Sequence, residues 1–397
     1  MGSWRRWGPI VLGVSLGLVA AFAILASVGK RTVEAPEGVL PAPLLPEIDG
    51  ALREVVLHYV PRFEEKVEPT YTDFLRAVDS RVRVVFVVPQ GLVSQERGKL
   101  DALLARIDPS GGLAKRASVV ESPGPITTWS KDRALVTAIP GPGKPALLIA
   151  PSEPNKQWEE RHNDWLTVQS IARWSAGRYK AEIAPLDFDA GDFMVDGRRV
   201  IVDTNLLEKN RHRGIRDVGE LHKRMVAWLR TEVLVLGREP GDTPRHHIAM
   251  YMTPLQDRIV LVGDPAAAKA MVGDPYVPGD PSGDTGEPLK ADFSAEMVGR
   301  FELAAREMAT SGYRVERIPN VPFDHKTYIS YTNGVFETRG GKRIAYMPVY
   351  GVEALDRAAQ GVYERLGWEV KTVRVRALYP FHGTIGCVVN VMARERE

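Results

Sequence analysis

From residue 48 onward the apolar positions follow two alternating periods. Stretches with apolar residues three or four apart gather on one helix face. They fall at 71–78, 94–107, 158–175, 217–230, 293–311 and 355–366. Short β-branched or alternating runs read as strands. They fall at 82–88, 117–120, 134–138, 146–150, 193–195, 200–202, 233–236, 248–252, 259–262, 314–318, 329–337, 342–347, 369–373 and 385–391. Asp196-Gly197, set between two such runs, predicts a type I′ hairpin. A helix followed by two or three strands recurs at roughly 60–70 residues, and about five such units fit the chain. No residue-level repeat accompanies them, so the five units are an architectural expectation of an α/β fold. Residues 272–289, rich in Pro, Gly and Asp, read as an exposed loop and a candidate lid.

Upstream the pattern changes. Residues 9–28 carry no charge, follow Trp4-Arg5-Arg6-Trp7 and precede Lys30-Arg31. At about 1.5 Å per residue such a run spans about 30 Å, the thickness of a bilayer core. We read residues 1–30 as an uncleaved signal anchor or transmembrane helix; the Ala-rich end of the run, 21–26, keeps cleavage and secretion open as the alternative. Arg5 and Arg6 place the body outside the cytoplasm, in a bacterial periplasm or at the cell surface. Residues 31–48, with Pro36, Pro41, Pro43 and Pro46, read as a tether, and 49–397 as the functional domain.

Composition narrows the function classes. The 397 residues are 44% hydrophobic and 26% charged with a net charge of +2, a globular composition without the basic excess of a nucleic-acid footprint. One cysteine, Cys387, excludes an intrachain disulfide framework and a Cys-rich zinc site, and leaves room for a reactive thiol. His58, His162, His212, His222 and His325 are scattered, and His246-His247 has no third ligand nearby in sequence, so neither metal nor cofactor is implied. The oligomeric state is left open.

Four polar segments lie where strands end. Thr128-Trp129-Ser130-Lys131-Asp132-Arg133 is a solvated loop or a binding edge. Asp187-Phe188-Asp189-Ala190-Gly191-Asp192 is a turn, or a strand presenting Asp187, Asp189 and Gly191 on one face. His247 at the head of an apolar run is a core histidine or an acid–base group. Cys387, in His382-Gly383-Thr384-Ile385-Gly386-Cys387, is inert packing or a thiol that Gly383 and Gly386 let a ligand approach.

In order and spacing these segments resemble the guanidino-group-modifying superfamily, the pentein fold of arginine deiminases, agmatine deiminases and amidinotransferases. The likeness runs from about residue 70 to 397 and includes Ser330-Tyr331-Thr332-Asn333-Gly334 before the cysteine. It implies a propeller of five pseudo-symmetric αβ modules. It also implies Cys387 as nucleophile, His247 as acid and base, Asp189 orienting the histidine or binding substrate, and Asp132, Trp129 and Asp192 around a small guanidino or amidine substrate. Two positions depart from the pattern. Ala249 stands where a second substrate carboxylate is usual, and Gly386 where agmatine deiminases carry histidine. Deiminase-like hydrolysis, amidino transfer, and a non-catalytic ligand-binding or envelope module are the readings carried forward.

Overall fold

A computed structural model describes residues 40–91, 94–139, 141–154, 158–324 and 326–395. Their strands form five separate sheets. Each sheet contains one motif: an antiparallel pair whose second strand lies parallel to a third, reached through helical crossover. In one, Leu135–Val136, Ala146–Ala150 and Tyr179–Ile183 are joined through helix Glu159–Trp174. In the next, Met194–Val195, Arg199–Asp203 and Glu232–Leu236 use helices Thr204–Asn210 and Val218–Leu229. Met252–Pro254, Ile259–Asp264 and Arg314–Pro322 use Pro265–Val272 and Ala295–Thr310. Val335–Arg339, Lys342–Val349 and Trp368–Arg374 use Glu353–Arg365. The remaining sheet joins distant parts of the chain: Asn390–Glu395 pairs antiparallel with Ala51–His58, which is parallel to Arg83–Pro89. That closure carries Cys387, three residues before Asn390, back toward the segment around Asp132.

Local sequence explains the elements. The Val-rich strand Arg83–Pro89 has neighbours on both edges and a buried interior, as a continuous β-branched run requires. Asp217 caps helix Val218–Leu229 by accepting from the Glu220 amide at 2.8 Å, and the helix buries Leu221, Met225, Trp228 and Leu229 on one side. Ser294 caps Ala295–Thr310 in the same way.

Several expectations need correction. Residues 248–252 do not form one strand: Ile248–Met250 is a 3-10 turn and the strand begins at Met252. Residues 385–391 divide into a helical turn, Ile385–Val388, and a strand from Asn390. Residues 329–337 divide at 331–334 into two strands in different sheets. Residues in all three stretches are mostly buried, and burial does not distinguish a turn from a strand. In the hairpin after Val195 only Gly197 has positive φ, whereas a type I′ turn needs two such residues; Asp196 Oδ1 instead accepts from the Arg198 and Arg199 amides.

The expected membrane span, 9–28, lies outside the described residues, and no helix among the described residues is long and apolar enough to cross a membrane. The end of the expected tether is part of the folded body. The Leu45 amide donates to Val136 O and the Glu47 amide to Val195 O, while Leu44 and Ile48 are buried. Arg394 clamps this strap through Glu47 O, Gly50 O and Phe336 O at 2.5, 3.2 and 2.7 Å. Residues 44–47 cover a cavity of about 50 Å³ whose walls include Lys131, Ala190, Gly334 and Gly386. The 272–289 loop is latched down at Tyr379, whose hydroxyl donates to Asp280 at 2.7 Å, and at His382, 2.8 Å from Asp284.

Candidate active site

Cys387 is 4% exposed and sits on the turn Ile385–Val388. Asn333 fixes that turn from three directions. Its carbonyl accepts from Thr384 Oγ1 at 2.7 Å and from the Gly386 amide at 3.2 Å, and its Nδ2 lies 3.1 Å from Sγ. The turn also holds the Asp132 segment: Lys131 N donates to Cys387 O, and Ser130 Oγ to Val388 O at 2.8 Å. The small residues nearby serve packing rather than ligand approach. A Cβ on Gly386 would stand 2.0 Å from Asn333 Oδ1, and one on Gly383 would stand 2.1 Å from the Trp129 ring. Trp129 therefore belongs to the wall beside the cysteine turn, with Phe63 edge-on at 6.3 Å.

His247 opens the turn Ile248–Met250 and stacks on His246, which takes φ 76° to bring the rings to 4.0 Å. Its Nε2 lies 3.7 Å from Asp189 Oδ2, and the Cys387 thiol is also beside the ring. Burial pushes this imidazole's pKa down, but the neighbouring Asp189, Cys387 and Asp132 outweigh it and carry it up to about 10. At neutral pH the ring is an imidazolium. Gly191 makes room for it: a Cβ there would fall 2.5 Å from Nδ1.

The acidic segment is a 3-10 turn, Ala190–Asp192, rather than a strand face, because Asp189 and Asp192 close a reciprocal capping box around it. Lys209 Nζ bridges Asp189 at 2.9 Å and Asp192 at 2.6 Å. Arg133 reaches Asp189 Oδ1 at 3.4 Å. Burial raises the Asp189 carboxyl, and Lys209, Arg133 and His247 together hold it well below the usual range.

Asp132, 3% exposed, accepts from Arg161 Nη1 at 2.5 Å. The same nitrogen lies 3.9 Å from Asp164, which Thr127 holds by its amide and hydroxyl. Ala190 N donates to Asp132 O at 2.7 Å, which ties the two acidic segments together. Asp132, Asp189 and His247 each offer a ligand atom within 4.8 Å of the others. That spacing could hold a cation, but Arg161, Arg133 and Lys209 already pair with these carboxylates.

The fold thus brings Cys387, His247, Asp189 and Asp132 into one cluster, with Asp192 joined through Lys209 and Trp129 through Gly383. Ala249 is buried in the same apolar cluster as Cys387 and offers no side-chain acceptor. Sequence reasoning passed over Arg161 and Lys209, which lie on helices Glu159–Trp174 and Thr204–Asn210 among other charges.

Among solved structures the chain is similar to an agmatine deiminase from C. jejuni, with a TM-score of 0.63 and 12% identity, over 89% of this chain and 97% of that one. It is similar also to an agmatine deiminase of Enterococcus faecalis, with a TM-score of 0.62 and 14% identity, over 91% and 99%. The fold is the pentein fold. At these identities the likeness is one of fold. No protein-family model matches the sequence, and no curated protein does. In this fold the thiol, the histidine and the two acidic segments lie in one cluster.

Proposed function

We propose that this pentein is a hydrolase of C–N bonds at a guanidino, amidine, ureido or amide carbon, working through a covalent intermediate on Cys387. The observation that carries the reading is the convergence of Asp189, His247 and Cys387, in which an imidazolium 3.7 Å from a carboxylate stands beside the chain's only thiol. The sulfur attacks the central carbon of the substrate. The C–N bond breaks as His247 gives its proton to the departing amine. His247, now neutral, takes a proton from water as that water attacks the same carbon. The C–S bond breaks, and the product carries C=O where the amine had been. Asp189 orients the imidazole and favours its charged form. Asn333 donates to the sulfur. Trp129 and Asp132 bound the substrate space, and Asp192 holds Lys209 against Asp189.

The five repeated sheets favour a propeller-like arrangement of modules with the site at their centre. The uncharged run 9–28 favours attachment of this body to a membrane, outside the cytoplasm. A non-catalytic binding module is the second reading, favoured by Ala249 and by the Arg161 guanidinium on Asp132.

The test is ammonia or amine release by the full chain from a set of guanidino, amidine and ureido compounds, with Cys387→Ala as control. Release that disappears in Cys387→Ala supports the reading. Release that persists in Cys387→Ala, or none from wild type across the set, overturns it.

A further inference from the structure

Among the described residues, the cluster carboxylates Asp132, Asp189 and Asp192 are each matched by a cation of the protein itself. Asp132 holds Arg161 at 2.5 Å. Asp189 holds Lys209 at 2.9 Å, Arg133 at 3.4 Å and His247 at 3.7 Å. Asp192 holds Lys209 at 2.6 Å. The fourth, Asp164, is fully buried and engaged by Thr127, with Arg161 at 3.9 Å. At position 249, alanine adds none.

A guanidinium substrate reaching Asp132, Asp189 or Asp192 meets none of these carboxylates unpaired. It would have to displace Arg161 from Asp132, leaving an arginine whose side chain is 17% exposed without its partner, or be desolvated with no counter-charge. Both routes are unfavourable. Arg161 is not a mobile surface group. It projects from the helix Glu159–Trp174, which packs on the strands Ala117–Ser122 and Tyr179–Ile183.

We infer that Arg161 supplies, as a fixed part of the protein, the positive charge that a guanidinium substrate would otherwise bring to Asp132, and that Cys387 therefore acts on an uncharged carbon of the amide or ureido class. Arg161 is a specificity-determining residue in this account. The inference rests on the Cys387 reading above and narrows its substrate class. Chemically the step is unchanged: Sγ bonds to the carbonyl carbon, the C–N bond breaks, the amine leaves with the His247 proton, and water then releases the acid or carbamate.

Two probes of nearly one shape and different charge test this. Methylurea is neutral and methylguanidine is protonated at pH 7.5. Because Cys387 is the only cysteine, its alkylation by chloroacetamide, followed by intact mass on the full chain, reports occupancy of the site. Methylurea is expected to slow alkylation of wild type at a concentration roughly tenfold or more below that needed for methylguanidinium, a difference typical of one unmatched charge. Arg161→Gln should reverse the preference, and Arg161→Lys, which keeps the cation, should retain it. Equal protection of wild type by the two probes, protection by methylguanidinium alone, or no protection by either overturns the inference. So does an Arg161→Gln protein that folds by circular dichroism and keeps the wild-type preference; if that variant does not fold, the wild-type comparison decides. The underlying Cys387 reading fails by a different result: alkylation without probe that is no slower in His247→Gln than in wild type.

Discussion

Arg161 donates from Nη1 to Asp132 Oδ2 at 2.5 Å, and this buried bond ties the helix Glu159–Trp174 to the loop that also contacts the cysteine turn. Removing one partner of such a pair leaves the other charge buried and uncompensated, at a cost of about 3–5 kcal/mol. Arg161→Gln and Asp132→Asn should each destabilise the protein by that order in chemical denaturation. The double variant should lose much less than the two single losses added together, because neither charge remains. Additive losses would show that the pair is not coupled.

The His247 charge makes a pH prediction with a definite sign. Its pKa is about 10 in the folded protein against 6.5 for a free imidazole, so the folded state binds the proton more tightly. The stability it contributes is complete below about pH 6.5 and is lost as pH rises toward about 10. Wild type should therefore lose melting temperature between pH 6.5 and 10 more steeply than His247→Gln. Parallel curves for the two proteins would contradict the assignment of an imidazolium.

Gly191 and Gly383 are predicted to be intolerant of a single methyl group. Gly191→Ala places a Cβ 2.5 Å from His247 Nδ1, and Gly383→Ala one 2.1 Å from the Trp129 ring. Rigid neighbours cannot yield that distance, so each should cost about 1–3 kcal/mol. Gly191→Ala should also slow Cys387 alkylation, because it moves the histidine. The control Gly98→Ala, inside the helix Ser94–Ile107, meets nothing within 4 Å and should leave alkylation unchanged and the protein no less stable.

Much of this was legible in the sequence, for identifiable reasons. Helix Val218–Leu229 announces itself through a capping aspartate and an apolar stripe, and strand Arg83–Pro89 through its β-branched run. The order Asp132, Asp189, His247, Cys387 suggested one site, and the fold brings the four together. The turns that carry His247 and Cys387 were read as strands, because an apolar run has no period that distinguishes a buried 3-10 turn from a buried strand. Arg161 and Lys209 were invisible for another reason. A charge among charges on a helix reads as solvent-facing until the packing shows what it faces. Strand Ala51–His58 went unread since its partner, Asn390–Glu395, lies at the other end of the chain.

The strap of residues 40–48 yields a further prediction. Arg394 donates to three carbonyls at its base, and burial brings the guanidinium pKa down to about 10, so it is held by geometry rather than by a close carboxylate. Arg394→Met keeps the apolar bulk but leaves those carbonyls short of donors, at a cost of about 1–3 kcal/mol. Limited proteolysis should then cut within 40–48 several times faster than in wild type. An unchanged cleavage rate would show that Leu44 and Ile48 hold the strap unaided.

The central claim is that His247 makes Cys387 a nucleophile, and one rate measures it most directly. Wild type and His247→Gln are treated with chloroacetamide at pH 7.5, and the single adduct is followed by intact mass. The account predicts alkylation of wild type roughly tenfold or more faster than of His247→Gln, since the acid–base group beside the sulfur is gone in the variant. Equal rates in two folded proteins would contradict it and leave Cys387 as a packing residue of the core.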